Sequence, residues 1–441
     1  MTSSHLSWLG IVRLGLVQSA LGAIVVLTTS TLNRVMVVEY ALPAMLPAAL
    51  VAWHYAIQLS RPRWGYGSDM GHLRTPWIIG GMGVLALGGV LATNATLLMA
   101  NAPIAGVLLG LLAFTMIGAG VGASGTSLLA LLATRTAPER RPAAAATTWI
   151  MMILGIVVTA GVAGGLLDPF SPQRLALVAA GVAGAAFLVT LLAVWGVERE
   201  PERATEAEEQ KPPFAQVMRE VWAEPLARRF TIFVFVSMLA YSAQDLILEP
   251  FAGLVFHMTP GQSTQMAGVQ HGGVLLGMIL VGVFGARFGD RRRAWMRHWT
   301  IAGCVGSACA LGALASAALI GPAWPLQPTV FALGFANGVF AVSAIGSMMG
   351  LAGEGRGARE GVRMGVWGAA QAIAFACGGF AGAAGVDALR AILPEASSAF
   401  QIVFLLEAAL FVGAAVLAGR LDLREALGMS GADARLEGAR P

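Results

Sequence analysis

Charge is scarce in this sequence of 441 residues. Only 12% of them are Asp, Glu, Lys or Arg, whereas 57% are hydrophobic, and the mean hydropathy is +0.73. A soluble domain could not cover its surface with so few charged groups. The composition therefore excludes a soluble globular protein and indicates that lipid surrounds most of the chain.

Residues that carry out chemistry are also few. The three cysteines, Cys304, Cys309 and Cys377, lie within apolar runs and lack the spacing of a zinc or iron–sulfur site. No Walker A motif is present, and the G-x-G-x-x-G pattern that begins at Gly120 lies in an apolar run without the strand that a dinucleotide site requires. We therefore expect no enzyme, no metal centre and no permanently bound cofactor.

Twelve apolar segments are long enough to cross a bilayer. They lie at about 11–38, 42–60, 75–99, 103–133, 143–166, 172–197, 229–256, 264–288, 297–320, 327–352, 362–386 and 398–419. When the connections are numbered alternately, one side receives all of the 28 Lys and Arg residues except Arg34, Arg174 and Arg390. Basic loops stay in the cytoplasm, so the sequence predicts an all-α polytopic membrane protein with both termini cytoplasmic. The basic residues form no single stripe, so no nucleic-acid partner is expected.

A charged, proline-containing stretch separates two sets of six segments. It begins with EREPERATEAEEQKPP, which is too polar to pack, and continues with apolar residues at helical spacing from Phe214 to Trp222. We therefore divide the chain into a six-helix bundle at 1–197, a cytoplasmic linker with an interfacial helix at 198–228, a second six-helix bundle at 229–422 and a mobile cytoplasmic tail at 423–441.

The two halves repeat one another. A shift of 218 residues places Trp77 on Trp295 and Trp149 on Trp367, although the chain has only 11 tryptophans. Because six spans separate the repeats, both halves have the same orientation and are related by a pseudo-twofold axis along the membrane normal. This arrangement is typical of secondary transporters.

Two cytoplasmic loops at repeat-related positions contain a carboxylate beside arginines. The first runs from Arg61 to Arg74 and the second from Gly285 to Arg293. Both resemble the G-x-x-x-D-x-x-G-R-R/K loop of the major facilitator superfamily, and the resemblance implies the twelve-helix fold of that superfamily. Their charged side chains are candidates for a latch that pairs with an adjacent helix when the cytoplasmic side closes, formed by Asp69, Arg74, Asp290 and Arg292.

Polar side chains within or beside the spans form a second set of candidates. An intramembrane charge is costly and indicates either pairing or function. Structural pairing and substrate gating both remain open for Arg34, Glu39, Gln244, Asp245 and Glu249. Because the first and seventh helices face each other in the superfamily, we predict that Arg34 pairs with Asp245 near the periplasmic side.

Two histidines occupy related places in the second and eighth spans. His54 and His271 are 217 residues apart, within one residue of the repeat shift. A histidine in an apolar helix can hold packing through a hydrogen bond to a neighbouring helix, or it can serve as a ligand. The symmetry of the two positions keeps both interpretations open.

Several strings resemble the PucC/LhaA family, also called the bacteriochlorophyll delivery family, over nearly the whole chain: Gly15–Gly22, Leu27–Glu39, Arg61–Asp69, Arg74–Gly81 and Ser242–Pro250. The resemblance implies a protein of the inner, intracytoplasmic membrane of purple bacteria. It implies binding of bacteriochlorophyll or a late precursor and delivery to light-harvesting antenna polypeptides, with pigment-synthesis enzymes as further partners. His54 or His271 is then expected to ligate the bacteriochlorophyll magnesium. The alternative is a proton-coupled secondary transporter of a small solute, with Asp245 or Glu249 as the proton carrier.

Overall fold

The computed structural model describes residues 6–61, 64, 73–137, 140–198, 225–285, 292–352 and 360–437, and its regular structure within these ranges is entirely helical. Twelve long helices follow one another: α1 Trp8–Glu39, α2 Met45–Gln58, α3 Thr75–Met99, α4 Pro103–Arg135, α5 Arg141–Leu167, α6 Pro172–Val194, α7 Pro225–Phe256, α8 Pro260–Gly285, α9 Arg292–Ile320, α10 Leu326–Ala352, α11 Glu360–Arg390 and α12 Ala396–Glu437. In the described ranges, eleven of them are long and apolar enough to cross a membrane. The remaining one, α2, has 14 residues. The predicted all-α polytopic fold is confirmed.

Local sequence explains where several helices begin. The hydroxyl of Ser7 accepts a hydrogen bond from the Gly10 N–H at the start of α1, and Ser171 does the same for Arg174 at the start of α6, both at 3.2 Å. Proline occupies the first turn of α3, α4, α5 and α6, where its missing N–H costs nothing. These signals set the helix ends close to the predicted ones.

Three regions differ from the predicted spans or lie outside the description. Helix α1 contains two π-helical segments, Leu27–Thr31 and Val35–Glu39, which the apolar pattern alone does not reveal. Helix α12 continues through residues assigned to the tail and ends at Glu437. Most of the predicted linker, including the stretch from Phe214 to Trp222, lies outside the described residues.

The helices form two bundles that meet along two seams. In the first bundle α3 packs on α4 and α1 packs on α5, and in the second α9 packs on α10 and α8 packs on α10. The bundles meet where α5 contacts α8 and where α2 contacts α11, and α1 also contacts α7. At the first seam Gly164 lies so close to α8 that a Cβ would be 2.8 Å from the carbonyl oxygen of Gly261. Small residues therefore bring the two bundles together.

Candidate functional site

Arg34 does not pair with Asp245, so that prediction is wrong. The Arg34 guanidinium, which is only 2% exposed, forms an ion pair with Glu39 and donates a hydrogen bond to the carbonyl oxygen of Met258. Asp245 lies eleven residues before the end of α7, about 16 Å deeper at 1.5 Å per residue. The two charges are therefore at different depths. We call the face of the bundles where α1 ends the outer face; in the predicted topology it is periplasmic.

Glu249, one helical turn above Asp245, joins three helices near the outer face. Its carboxylate accepts hydrogen bonds from Ser30 of α1 and, at 3.1 Å, from Ser263 of α8. Arg34 is close enough to interact with it electrostatically. Three of the predicted gate residues, Arg34, Glu39 and Glu249, are thus brought to one region.

Further hydrogen bonds close the two bundles against each other on the outer side. The Asn33 amide donates to the Leu246 carbonyl oxygen at 2.6 Å, and the hydroxyls of Thr31 and Thr264 are 3.0 Å apart. These bonds link α1 to α7 and α8 at the level of Glu249. In the part of the chain that the structure describes, the polar contacts between the bundles are concentrated in this outer half.

Two aspartates that the sequence analysis did not single out complete the outer contacts. Asp387 of α11 accepts the N–H groups of Ala44 at 3.0 Å and Met45 at 2.7 Å, which are unpaired donors at the start of α2. Asp168, after α5, accepts from the Thr259 hydroxyl at 2.9 Å. The aspartates are visible in the sequence, but nothing there indicates which distant helix end each one reaches.

A second group of side chains lies deeper, between α2, α7, α8 and α11. The ring of Phe375 is 5.5 Å from Tyr55 and 5.8 Å from Tyr241, measured between centroids. The carboxyl of Asp245 is hydrogen-bonded to Gln270 and interacts electrostatically with both tyrosines. We call these five residues the central site. The chain has only four tyrosines, so Tyr55 and Tyr241 within apolar segments were signals that sequence reasoning could have used, although the sequence does not show that they meet.

The two histidines have diverged in their surroundings. His54 is buried, and both of its ring nitrogens are bonded: Nδ1 is 3.0 Å from the Val51 carbonyl oxygen and Nε2 is 2.7 Å from the Gln58 amide nitrogen. His271 is half-buried and its Nδ1 is 2.9 Å from the Ala267 carbonyl oxygen. In the described part of the chain its Nε2 has no hydrogen-bond partner. Because a carbonyl can only accept, Nδ1 carries the proton and Nε2 of His271 presents a free lone pair.

The predicted cytoplasmic latch is described only at Arg74. Its backbone N–H and that of Thr75 donate to the Glu198 carboxylate, at 2.9 Å and 2.6 Å, and its guanidinium donates to the Thr134 hydroxyl at 2.7 Å. Glu198 therefore caps the start of α3. Asp69, Asp290 and the side chain of Arg292 lie outside the described residues, so the latch stays a prediction.

Two surface cavities lie away from the central site. One of about 580 Å³ opens at the outer face between α8 and α10 and includes Met258, Gln262 and Trp324. The other, of about 320 Å³, is apolar and lies between α3 and α4 beside Trp64 and Trp77. Neither is lined by the tyrosines or by Asp245.

The arrangement of the two bundles is shared with solved transporters. A crystal structure of a mutant form of the nucleoside transporter NupG matches 93% of this chain and 99% of its own, with a TM-score of 0.69 and 14% identity. At that identity the similarity concerns the fold alone. The chain is a polytopic membrane protein with the major facilitator superfamily fold, as predicted.

The amino-acid sequence identifies the family of the chain within this fold class. The family model described as PUCC protein matches residues 31–426, so the chain belongs to the PucC family. The chain is 54% identical over 415 residues to the "Bacteriochlorophyll synthase 44.5 kDa chain" of Rhodobacter capsulatus, covering 94% of this chain and 95% of the relative. It is 31% identical over 378 residues to "Protein PucC" of Cereibacter sphaeroides, covering 82% and 80%. The family resemblance inferred from the sequence is confirmed, and the 54% identical relative carries bacteriochlorophyll in its printed name.

Proposed function

We propose that this protein binds bacteriochlorophyll, or a late precursor, between its two bundles and delivers it to light-harvesting antenna polypeptides in the photosynthetic membrane. The observation that carries the proposal is the free Nε2 of His271. A chlorin is flat and apolar, so helix surfaces rich in Ala, Gly and Leu can hold its faces, but its magnesium also needs an axial ligand. A neutral imidazole whose other nitrogen is fixed by a hydrogen bond supplies one.

The position of His271 supports entry of a lipid-soluble molecule. Gly268, one turn above, packs on α5 with a Cβ position 3.3 Å from that of Ala160. Leu275, one turn below, packs against an apolar cluster that includes Val26 of α1 and Ile156 of α5. His271 therefore lies along the seam where α8 meets α5 and α1. Gly272, next to it, has no atom within 4 Å of its Cβ position. In this proposal a pigment reaches the imidazole sideways from the bilayer when α8 and α5 part beside Gly272.

His54 is the matched control for this proposal. It occupies the repeat-related position, but the Val51 carbonyl and the Gln58 amide already take both of its nitrogens. Ligation at His54 would break one of these buried hydrogen bonds. We therefore assign the ligand role to His271 alone, which narrows the expectation from two histidines to one.

The test compares variants purified from photosynthetic cells at matched expression. We expect His271→Leu to lose the chlorin absorbance per folded protein and His54→Leu to retain it. His271→Gly should lose the pigment as well and regain it when imidazole is added, since free imidazole can occupy the vacated place. Pigment retained in His271→Leu, or no rescue of His271→Gly by imidazole, would contradict the assignment.

We further propose that the chain handles pigment rather than synthesising it. The support is the transporter fold; the opposing observation is the printed name of the 54% identical relative, a bacteriochlorophyll synthase chain. Purified protein mixed with a late pigment precursor and its co-substrate should give no product above the level without protein. Product formation that scales with the amount of protein would establish an enzyme instead.

Proton-coupled transport of a small solute is the second candidate, and Asp245 favours it. This carboxyl lies at the central site between the bundles, where an alternating-access transporter holds its substrate and coupling ion. Reconstituted protein should then take up solute in a way that an uncoupler abolishes and that Asp245→Asn impairs. Retention of pigment with no uncoupler-sensitive uptake would favour delivery.

A further inference from the structure

The core of the second bundle contains two aromatic layers. Toward the outer face, the ring of Phe251 is 5.3 Å from Phe400 and 5.0 Å from Phe404. Toward the other face, Phe340 is 6.4 Å from Phe233 and 6.0 Å from Phe411. Helix α12 contributes to both layers, so the residues between Phe404 and Phe411 on the same face of α12 lie between the layers.

Four polar side chains lie at this intermediate level. Glu407 follows Phe404 by three residues and precedes Phe411 by four, which places it on the same face of α12. Gln244 precedes Phe251 by seven residues on the core face of α7, and Asn337 precedes Phe340 by three on α10. The Ser307 hydroxyl of α9 donates to the Asn337 Oδ1 at 2.7 Å. We call Gln244, Ser307, Asn337 and Glu407 the polar layer.

Most of the polar atoms in this layer have no partner. Both carboxyl oxygens of Glu407, both amide atoms of Gln244 and the Nδ2 of Asn337 are buried and unbonded in the described part of the chain. Glu407 is 2% exposed, and the other two are fully buried. Buried polar groups in native proteins are almost always hydrogen-bonded, because leaving them bare is costly. Five such atoms at one level, with both donors and acceptors among them, indicate a site that binds something small and polar.

The charged groups around Glu407 indicate which small polar species the polar layer binds. Glu407 interacts electrostatically with Asp245, another acid, which links the layer to the central site. Asp245 in turn interacts with Gln270, Tyr55 and Tyr241. The cation Arg61, after α2, interacts with Tyr55, but in the described part of the chain no basic side chain interacts with Asp245 itself. Two neighbouring carboxylates without a counter-ion cannot both stay ionised in a low-dielectric interior.

Among the residues that the structure describes, the helices that pack against α12 add no cation at this level. Helix α10 contains no titratable residue. On the other helices the remaining groups are thiols at Cys304, Cys309 and Cys377, or lie toward the helix ends, as do Arg297, His298, Glu249, Asp387 and Arg390. A proton, rather than a fixed basic side chain, is therefore the natural partner of the two acids.

We propose that Glu407 and Asp245 together form a proton-binding site, in which Glu407 holds the proton inside the second bundle and Asp245 connects it to the central site. The Gln244 and Asn337 amides suit this role because an amide can donate to the ionised carboxyl and accept from the protonated one. Ordered water in the polar layer would complete their hydrogen bonds. The site does not depend on pigment binding.

The repeat argues that the fold itself does not need this layer. The positions 218 residues before Gln244, Ser307 and Asn337 are Val26, Gly89 and Ala119, and α6, the counterpart of α12, contains no acidic residue. The first bundle therefore folds with apolar residues where the second has five unbonded polar atoms. A structural role alone gives no reason for this difference.

The test is infrared difference spectroscopy of the full chain in lipid during a pH titration. We expect the wild type to show the carbonyl stretch of a protonated carboxyl at neutral pH, to lose it on alkalinisation, and to shift it when glutamate is labelled with carbon-13. Glu407→Gln should remove that band, and Glu395→Gln, at an exposed position before α12, should not.

A labelled Glu249→Gln variant keeps the test decisive even if Glu407→Gln does not fold. Glu249 is the other buried glutamate of the described residues, so an isotope shift that persists without it reports Glu407. A band that no glutamate label shifts, or one that survives Glu407→Gln in folded protein, would overturn the proposal. A wild type that lacks the band but is stabilised by sodium would also overturn the proposal, provided that Glu407→Gln abolishes the stabilisation. The polar layer would then bind a metal cation.

Discussion

The two bundles share a helical arrangement but differ in the polar groups that they bury. In the first, the buried threonines Thr93, Thr96 and Thr190 return their hydroxyls to carbonyl oxygens of their own helix, at 2.9 to 3.0 Å. Helices α1 to α6 contain no acidic residue except Glu39 at the outer end of α1. The second bundle holds Asp245, Glu249 and Glu407 inside its helices. The two halves share a scaffold, but the acids inside the helices lie in the second bundle.

Arg34 is the sharpest test of this division, because it is a buried cation of the first bundle that serves acids at the bundle interface. Arg34→Met removes the partner of Glu39 and leaves Glu249 buried without a nearby positive charge. We expect a loss of about 3–5 kcal/mol in the free energy of unfolding. Thermal or denaturant unfolding in detergent measures it.

Arg390→Met is the matched control, because Arg390 also lies near the outer face but is exposed. Its replacement should change the free energy of unfolding by no more than about 0.5 kcal/mol. Equal losses in both variants would show that charge near the outer face, rather than the buried contact, determines the effect.

Asp387 tests whether the second bundle holds the first one closed. Asp387→Asn keeps one acceptor oxygen for the Ala44 and Met45 N–H groups but removes the charge, so we expect the closed outer contact to weaken by about 1.5–3 kcal/mol. The outer side should then open in about tenfold more molecules or beyond. Labelling of a single cysteine introduced at Val38, in a background without the three native cysteines, reports this opening.

The labelling reagent must not cross the membrane, so that it reports the outer side alone. The Val38→Cys protein with Asp387 unchanged supplies the baseline labelling rate. Labelling at the baseline rate in Asp387→Asn would mean that the α2 cap contributes nothing to closure.

Two glycines of α5 compare the bundle seam with the lipid-facing surface of the same helix. Gly164→Ala places a Cβ against the Gly261 carbonyl of α8, whereas Gly161 has no atom within 4 Å of its Cβ position. We expect Gly164→Ala to cost about 1–3 kcal/mol and Gly161→Ala to stabilise slightly through its higher helix propensity. Unfolding measurements on both variants test this expectation. Similar changes in the free energy of unfolding would contradict close packing of α5 on α8 at Gly164.

Replacing the two histidines should have the smallest effects on stability, and the two variants should rank in opposite order in the stability and pigment assays. His54→Leu leaves the Gln58 amide without its buried acceptor and should cost about 1 kcal/mol or slightly more. His271→Leu gives up a single bond to the Ala267 carbonyl at a half-buried position and should cost less. Unfolding energies should thus follow the opposite order from pigment loss, and the same order in both assays would remove the distinction between the two residues.

Helices, repeat and fold could be predicted from the sequence because lipid imposes length and apolarity on each span separately. Side-chain partners could not, because they depend on depth and rotation. Arg34 and Asp245 have opposite charges on facing helices, yet Glu39 and the Met258 carbonyl lie at the depth that Arg34 reaches. Glu407 was visible as the one acidic residue of the segment 398–419, and the rule that makes intramembrane acids candidates applied to it as fully as to Asp245.

The π-helical segments of α1 make the length of that helix a constraint in its own right. Ser30, Thr31, Asn33 and Arg34 all bond to the second bundle, although in a regular α-helix successive residues point about 100° apart. A π-turn accommodates an extra residue by widening the helix locally. Deleting one residue between Leu27 and Thr31 would let that segment return to regular geometry and rotate everything that follows, including Arg34. A change in the number of residues in this stretch would therefore detach the first span from its neighbours, even if the stretch stayed equally apolar.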